Sequence, residues 1–139
     1  MLKAVLDSTI LVSAFLKSEG ISAELLRKAA AGAFTVCTAE EILDETRRVL
    51  LQYPRIRKRY QYPDEAVTEY VNLLRVVSHL VTGLPKLRAV IRDPNDDMIL
   101  ACAIKAKAGY VVSRDKDLLD LESYRRTKMV SPEQFITLL

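Results

Sequence analysis

Short apolar runs alternate along this chain with longer stretches whose apolar residues recur every three or four positions. Leu2–Leu6, Phe34–Thr38, Tyr110–Ser113 and the weaker Lys128–Ser131 have the length and character of strands. Between them the spacing predicts helices. One runs from a Ser22 cap to about Ala31 and ends at Gly32; the next is capped by Thr38, with Glu41 completing a capping box, and closes before Pro54. A long amphipathic segment from Pro63 to about Val81 carries Val67, Tyr70, Val71, Leu74 and Ser78 at helical spacing. Asp93-Pro94-Asn95 turns the chain into a helix over Asp96–Ala108, stopped by Gly109, and Ser131-Pro132-Glu133 opens a short last one. Strands alternating with helices predict the α/β class, a mostly parallel sheet flanked by helices. No repeat, linker or low-complexity tract divides the chain, so residues 1–139 are read as a single domain.

Composition narrows the function classes. At 50% hydrophobic and 28% charged residues the chain is ordinary globular protein, and a formal charge of +3 is too small to argue for a polyanion partner by itself. Arg75 and His79 break the longest candidate membrane run. Asp7 breaks the apolar stretch near the start, and no small-residue cleavage site follows it, so a cytoplasmic protein without a membrane segment is expected. Cys37 and Cys102 form no CxxC pair and read as buried reduced thiols. The one histidine, His79, is expected mid-helix, which leaves little for a Ser-His-Asp or Cys-His nucleophile. None of Gly20, Gly32, Gly83 and Gly109 falls in a phosphate-cradling glycine motif.

What remains is acidic. Asp7 follows the first strand and Asp115 the Tyr110–Ser113 strand, and in open α/β sheets ligands gather beyond the carboxyl ends of strands. Glu45 lies at the edge of the inward stripe Ile42, Thr46, Val49 and Tyr53; Glu41 is further out and Asp44 nearly opposite. Asp97 lines up with Ala101, Ile104 and Ala108, whereas Asp96 lies about 100° away around the helix. Each acid alone has an ordinary role as turn former or helix cap. Together, Asp7, Glu45, Asp97 and Asp115 predict a cup for a hard divalent cation, Mg²⁺ or Mn²⁺, and hence metal-assisted phosphodiester chemistry.

The blocks Val5-Leu6-Asp7-Ser8-Thr9-Ile10-Leu11-Val12-Ser13, Asp93-Pro94-Asn95-Asp96-Asp97-Met98-Ile99-Leu100-Ala101 and Val111-Val112-Ser113-Arg114-Asp115-Lys116-Asp117-Leu118-Leu119 resemble, in order and spacing, the PIN-domain nucleases. The branch most similar is that of VapC-like toxins of toxin–antitoxin systems. The resemblance implies a PIN-like three-layer α/β/α fold and a hydrolase that cleaves RNA with metal-activated water. It also implies a small antitoxin partner, and homodimers such as relatives form. Asp7 matches the family's first acid, Glu45 its second with Glu41 or Asp44 as alternatives, Asp97 its third and Asp115 its fourth. Ser8, Thr9, Asp96, Ser113 and Asp117 are then supporting residues. After the first acid the family's common Thr-Asn is replaced by Ser8-Thr9.

Tyr53–Tyr62 is the densest basic stretch, with tyrosines interleaved. Arg55, Arg57, Lys58 and Arg59 suit phosphates while the rings suit unpaired bases, which makes the stretch a candidate surface for single-stranded RNA. Arg125, Arg126 and Lys128 form a weaker second patch. The expected function is therefore a metal-dependent endoribonuclease, the toxin of a pair. The alternatives are an RNA-processing nuclease without an antitoxin and a non-catalytic module that binds RNA or protein.

Overall fold

A computed structural model describes residues 1–87 and 94–139. Its strands are β1 (Lys3–Leu6), β2 (Thr35–Thr38), β3 (His79–Leu80), β4 (Tyr110–Val112), β5 (Ser123–Tyr124) and β6 (Thr127–Val130). Among the described residues they form one sheet in the order β3-β2-β1-β4-β6-β5, parallel throughout except for β5 against β6. Ala4, Val5, Val36, Cys37, Val111 and Val112 are buried. Strands covered on both faces need no polar alternation, which is why they read as unbroken apolar runs. β3 and β5, with two residues each, are too short to leave a periodic signal.

The helices are α1 (Ser8–Leu16), α2 (Ile21–Ala30), α3 (Glu40–Gln52), α4 (Pro54–Arg59), α5 (Asp64–Val77), α6 (Pro94–Ala106), α7 (Lys116–Leu121) and α8 (Pro132–Ile136). Several differ from the sequence reading. α5 stops at Val77, because Ser78 turns extended and His79 pairs in register with Cys37; His79 is an exposed edge-strand residue, not a helical one. Thr38 is the last residue of β2, so it cannot cap α3, which starts behind Ala39 without a side-chain cap. α2 likewise starts behind Gly20, with Ser22 buried in its first turn. α8 has the expected cap, with the Ser131 hydroxyl and the Gln134 side chain bonding reciprocally to backbone N–H groups. Asp93 of the predicted turn lies outside the described residues.

The stripe on α5 goes into the core: Val67, Val71 and Leu74 are buried and Tyr70 packs against them. Cys37 and Cys102 are buried free thiols, and burial pushes the Cys102 thiol up to about 12. Among the described residues no helix is long and apolar enough to cross a membrane.

Two features hold the helices that frame the carboxyl end of the sheet. α6 lies against β1, β2 and β4. α5 is tied to α1 by the Tyr70 hydroxyl, which donates to the Leu11 carbonyl at 2.5 Å, with the Phe15 ring 5.0 Å from that of Tyr70 and 4.9 Å from that of Tyr62. Burial also holds the Tyr70 phenol well above its ordinary range. Tyr70→Phe should therefore cost about 1 kcal/mol of stability in urea unfolding. An unchanged midpoint would mean that this bond contributes nothing.

Candidate metal centre

The strand order reverses direction between β1 and β4: the chain builds outward through β2 and β3 on one side, then through β4 and β6 on the other. Such a switch point leaves a crevice at the carboxyl ends of the two strands. Asp7 leaves β1 there, its N–H still bonded to the Val112 carbonyl at 3.0 Å, and Asp115 follows β4. Both cap the helices they open: Asp7 accepts from the Thr9 N–H at 3.3 Å and Asp115 from the Asp117 N–H at 2.9 Å. The cap role and the cluster role coexist, because a cap uses one carboxylate oxygen and leaves the other.

The third member comes from the first turn of α6, and it is Asp96. Asp7, Asp96 and Asp115 each offer a carboxylate oxygen, all within 4.8 Å of one another, and Asp7 and Asp96 are buried. Three ionised carboxylates at that separation repel by the order of 3 kcal/mol per pair at an effective dielectric of about 20. A cluster of this kind holds a proton or a cation. Asp7 carries the imprint: burial, more than anything else, pushes its carboxyl above the ordinary range, and the Asp115 charge adds to that. The bonds from Ser113 and Thr9 pull the other way. The donor set is hard oxygen, suited to Mg²⁺ or Mn²⁺.

Ser113 joins two of the acids. Its buried hydroxyl donates to Asp7 Oδ2 at 2.6 Å and accepts from the Asp115 N–H at 2.9 Å, while Ser8 Oγ donates to Asp7 Oδ1 at 3.3 Å. Asp117 contributes its backbone N–H; its side chain is exposed.

The acids open into a cleft of about 510 Å³. Glu45 lines it, as do Thr9, Asn95, Lys17, Arg48, Tyr53 and Tyr60. Glu45 is 17% exposed and accepts from Arg48 Nη2 at 2.7 Å and Nε at 3.0 Å; the guanidinium also lies 5.5 Å from the centre of the Tyr53 ring. The Glu45 hydrogen bond holds Arg48 still further above its ordinary range. Of the three helical acids considered for this position, Glu45 alone shares the cleft. Glu41 lines a separate groove, and Asp44 is exposed.

Asp97, expected at the cup, is not in it. It lines the separate groove with Glu41, Lys86 and Met98. A single face does not separate Asp96 from Asp97 because α6 is buried on more than one side: Ile99, Leu100, Ala101, Cys102 and Ala103 are all in the interior. Where no single stripe faces inward, a stripe cannot rank two adjacent acids. Both acids have apolar residues three and four positions on, Ile99 and Leu100 for Asp96 and Leu100 and Ala101 for Asp97, so spacing does not separate them. Asn95, Lys17 and Arg48 were not foreseen at all.

The basic stretch divides into two parts. Arg55, Lys58 and Arg59 are exposed on α4, Arg59 with its guanidinium 5.5 Å from the Tyr60 ring centre. Arg57 is occupied within the fold: it pairs with Asp64 at 2.8 Å, donates to the Tyr62 carbonyl at 3.2 Å and lies over the Tyr62 ring. Tyr62 is structural too, donating to the Leu50 carbonyl at 2.6 Å, whereas Tyr53 and Tyr60 face the cleft.

No curated protein sequence matches the chain. Among solved structures, a chain of the crystal structure of VapBC2 from Rickettsia felis bound to a DNA fragment from their promoter is similar, with a TM-score of 0.62 and 14% identity. The match covers 94% of this chain and 98% of that one. At that identity the likeness is one of fold. Residues 3–117 match the model of the PIN domain, a span that runs from β1 into the first turn of α7 and includes every acid of the cup; the chain belongs to the PIN-domain family.

Proposed function

We propose that this chain is a metal-dependent endoribonuclease and the toxin component of a toxin–antitoxin pair. The observation that carries the reading is the cluster of Asp7, Asp96 and Asp115 at the switch point, inside a cleft that also holds Arg48, Lys17, Tyr53 and Tyr60. Asp7, Asp96 and Asp115 would hold Mg²⁺ or Mn²⁺, with Glu45 at the rim. A bound divalent ion lowers the pKa of water and offsets charge on a phosphodiester. Ser113 orients the Asp7 carboxylate and anchors the backbone of Asp115, and Ser8 and the Thr9 N–H hold the second Asp7 oxygen. Lys17 places positive charge where phosphate would lie, beside the Arg48–Glu45 pair, and Tyr53 and Tyr60 offer ring faces to unpaired bases, with Arg55, Lys58 and Arg59 leading toward them. An antitoxin would cover the same cleft. The likeness to a chain of a VapBC2 complex supports a partner of that kind.

Mn²⁺ titrated into metal-free protein should bind and raise the melting temperature, because it binds the folded state and relieves carboxylate repulsion; at 100 times Kd the gain is about 2.7 kcal/mol. Cleavage of single-stranded RNA should then depend on added Mg²⁺ or Mn²⁺ and stop with EDTA. RNA left intact under saturating metal would leave a binding module. A short reading frame upstream, encoding a DNA-binding head and a tail that blocks cleavage, would separate a toxin from an RNA-processing nuclease.

A further inference from the structure

At the opposite pole of the sheet, where β4 and β6 begin, a second groove of about 540 Å³ is lined by Lys107, Arg125 and Arg126 above a floor that includes Ala103, Ala108 and Gly109. Among the described residues no acid lines it and none of the three cations is in an ion pair. We propose that this groove is a second RNA-binding site, taking backbone phosphates of the RNA whose scissile bond lies in the carboxylate cup. The proposal rests on the reading of that cup as a ribonuclease centre.

Two of the cations stand where the backbone favours glycine. α6 ends in a paired cap: Ala108 N–H bonds to the Ala103 carbonyl at 2.9 Å and Lys107 N–H to the Ile104 carbonyl at 3.1 Å. That arrangement puts Lys107 at φ +56°, the left-handed position that glycine usually fills. Arg125 has φ +55° at the first position of the two-residue turn joining β5 to β6, another place for glycine. Keeping a long cation at a strained position costs stability, so its side chain must return something. A lysine near the carbonyl end of α6 gains from the helix dipole, but that does not account for the two arginines across the groove.

The groove is also rigid. Thr127 Oγ1 donates to the Ala108 carbonyl at 2.8 Å and Lys128 N–H to the Gly109 carbonyl at 2.9 Å, fixing the Lys107 turn against the arginine turn. The Arg125 guanidinium lies 5.3 Å from the centre of the Tyr124 ring. α6 reaches from the cup to the groove, about 15 Å of helix rise from Asp96 to Ala106, and a strand of about 20 nucleotides is longer than that span.

The test is RNA binding by the full chain without divalent metal, read by polarisation of a labelled single strand of about 20 nucleotides across a salt series. Lys107→Gly/Arg125→Gly should bind at least about fivefold more weakly at low salt, with the slope of log K on log salt shallower by about 0.7 for each cation removed. The same variant should melt a few degrees higher, since both positions gain the residue their φ favours. Lys107→Arg/Arg125→Lys should keep wild-type affinity. Unchanged affinity and slope in the glycine variant would overturn the proposal, and so would a lower melting temperature, which removes the argument from strain. Poly-glutamate displacing the RNA as well as unlabelled RNA does would assign the groove to an acidic peptide instead. Because binding is read without metal, failure of cleavage at the cup leaves this result independent.

Discussion

Asp96→Asn should remove metal-dependent RNA cleavage, while Asp97→Asn, one residue away, should keep most of it. Asp96 is in the cluster with Asp7 and Asp115; Asp97 faces the Glu41 groove. A divalent ion supplies several kcal/mol of charge stabilisation. Losing the carboxylate that helps to hold it should therefore cost a factor of about a thousand in rate. Binding should follow the same order, with Mn²⁺ affinity reduced in Asp96→Asn and near wild type in Asp97→Asn. Single-turnover cleavage beside calorimetric titration checks both variants. Equal loss in the two would mean that the groove behind Asp97 belongs to the catalytic machinery. Loss in Asp97→Asn alone would move the metal site to that groove.

Asp7→Asn should do two opposite things: weaken metal binding, and stabilise the metal-free protein at neutral pH by a few degrees in melting temperature. The Asp7 carboxyl is held above its ordinary value of 3.8, chiefly by burial. Folding therefore favours its protonated form. That contribution to stability is fully present below pH 3.8 and is lost as pH rises through the elevated folded value. In chelator, wild type and Asp7→Asn should be closest in stability below pH 3.8 and diverge above it, with the variant ahead. Asparagine is also a good helix cap, so its carbonyl can still accept from the Thr9 N–H while its amide turns toward the Ser113 hydroxyl. Saturating Mn²⁺ should reverse the ranking, because only wild type keeps all three carboxylates. A melting series over pH, with and without metal, reads both effects. A variant less stable at every pH would make Asp7 a structural group first.

The amino-acid sequence by itself determined the class of fold, four of the strands and the acidic character of the site. Buried parallel strands leave continuous apolar runs, and acids at strand ends stand out against them, so Asp7 and Asp115 were legible without coordinates. The stripe Ile42, Thr46, Val49 and Tyr53 pointed Glu45 toward the cleft that it lines, although the face α3 buries is Ile42, Leu43, Thr46 and Leu50, with Val49 half-buried and Tyr53 exposed. Tertiary structure decided the rest. α6 is covered on several sides, so only its seating against β1, β2 and β4 selects Asp96 over Asp97. α1 buries Ile10, Leu11, Val12 and Ala14 in nearly every direction and so shows no helical stripe to read. The Arg48 clamp on Glu45, the use of Arg57 within the fold, and the meeting of Lys107 with Arg125 all depend on where separate segments come to rest. Local spacing sets which way a side chain points from its own element; the packing of that element against others decides what it meets.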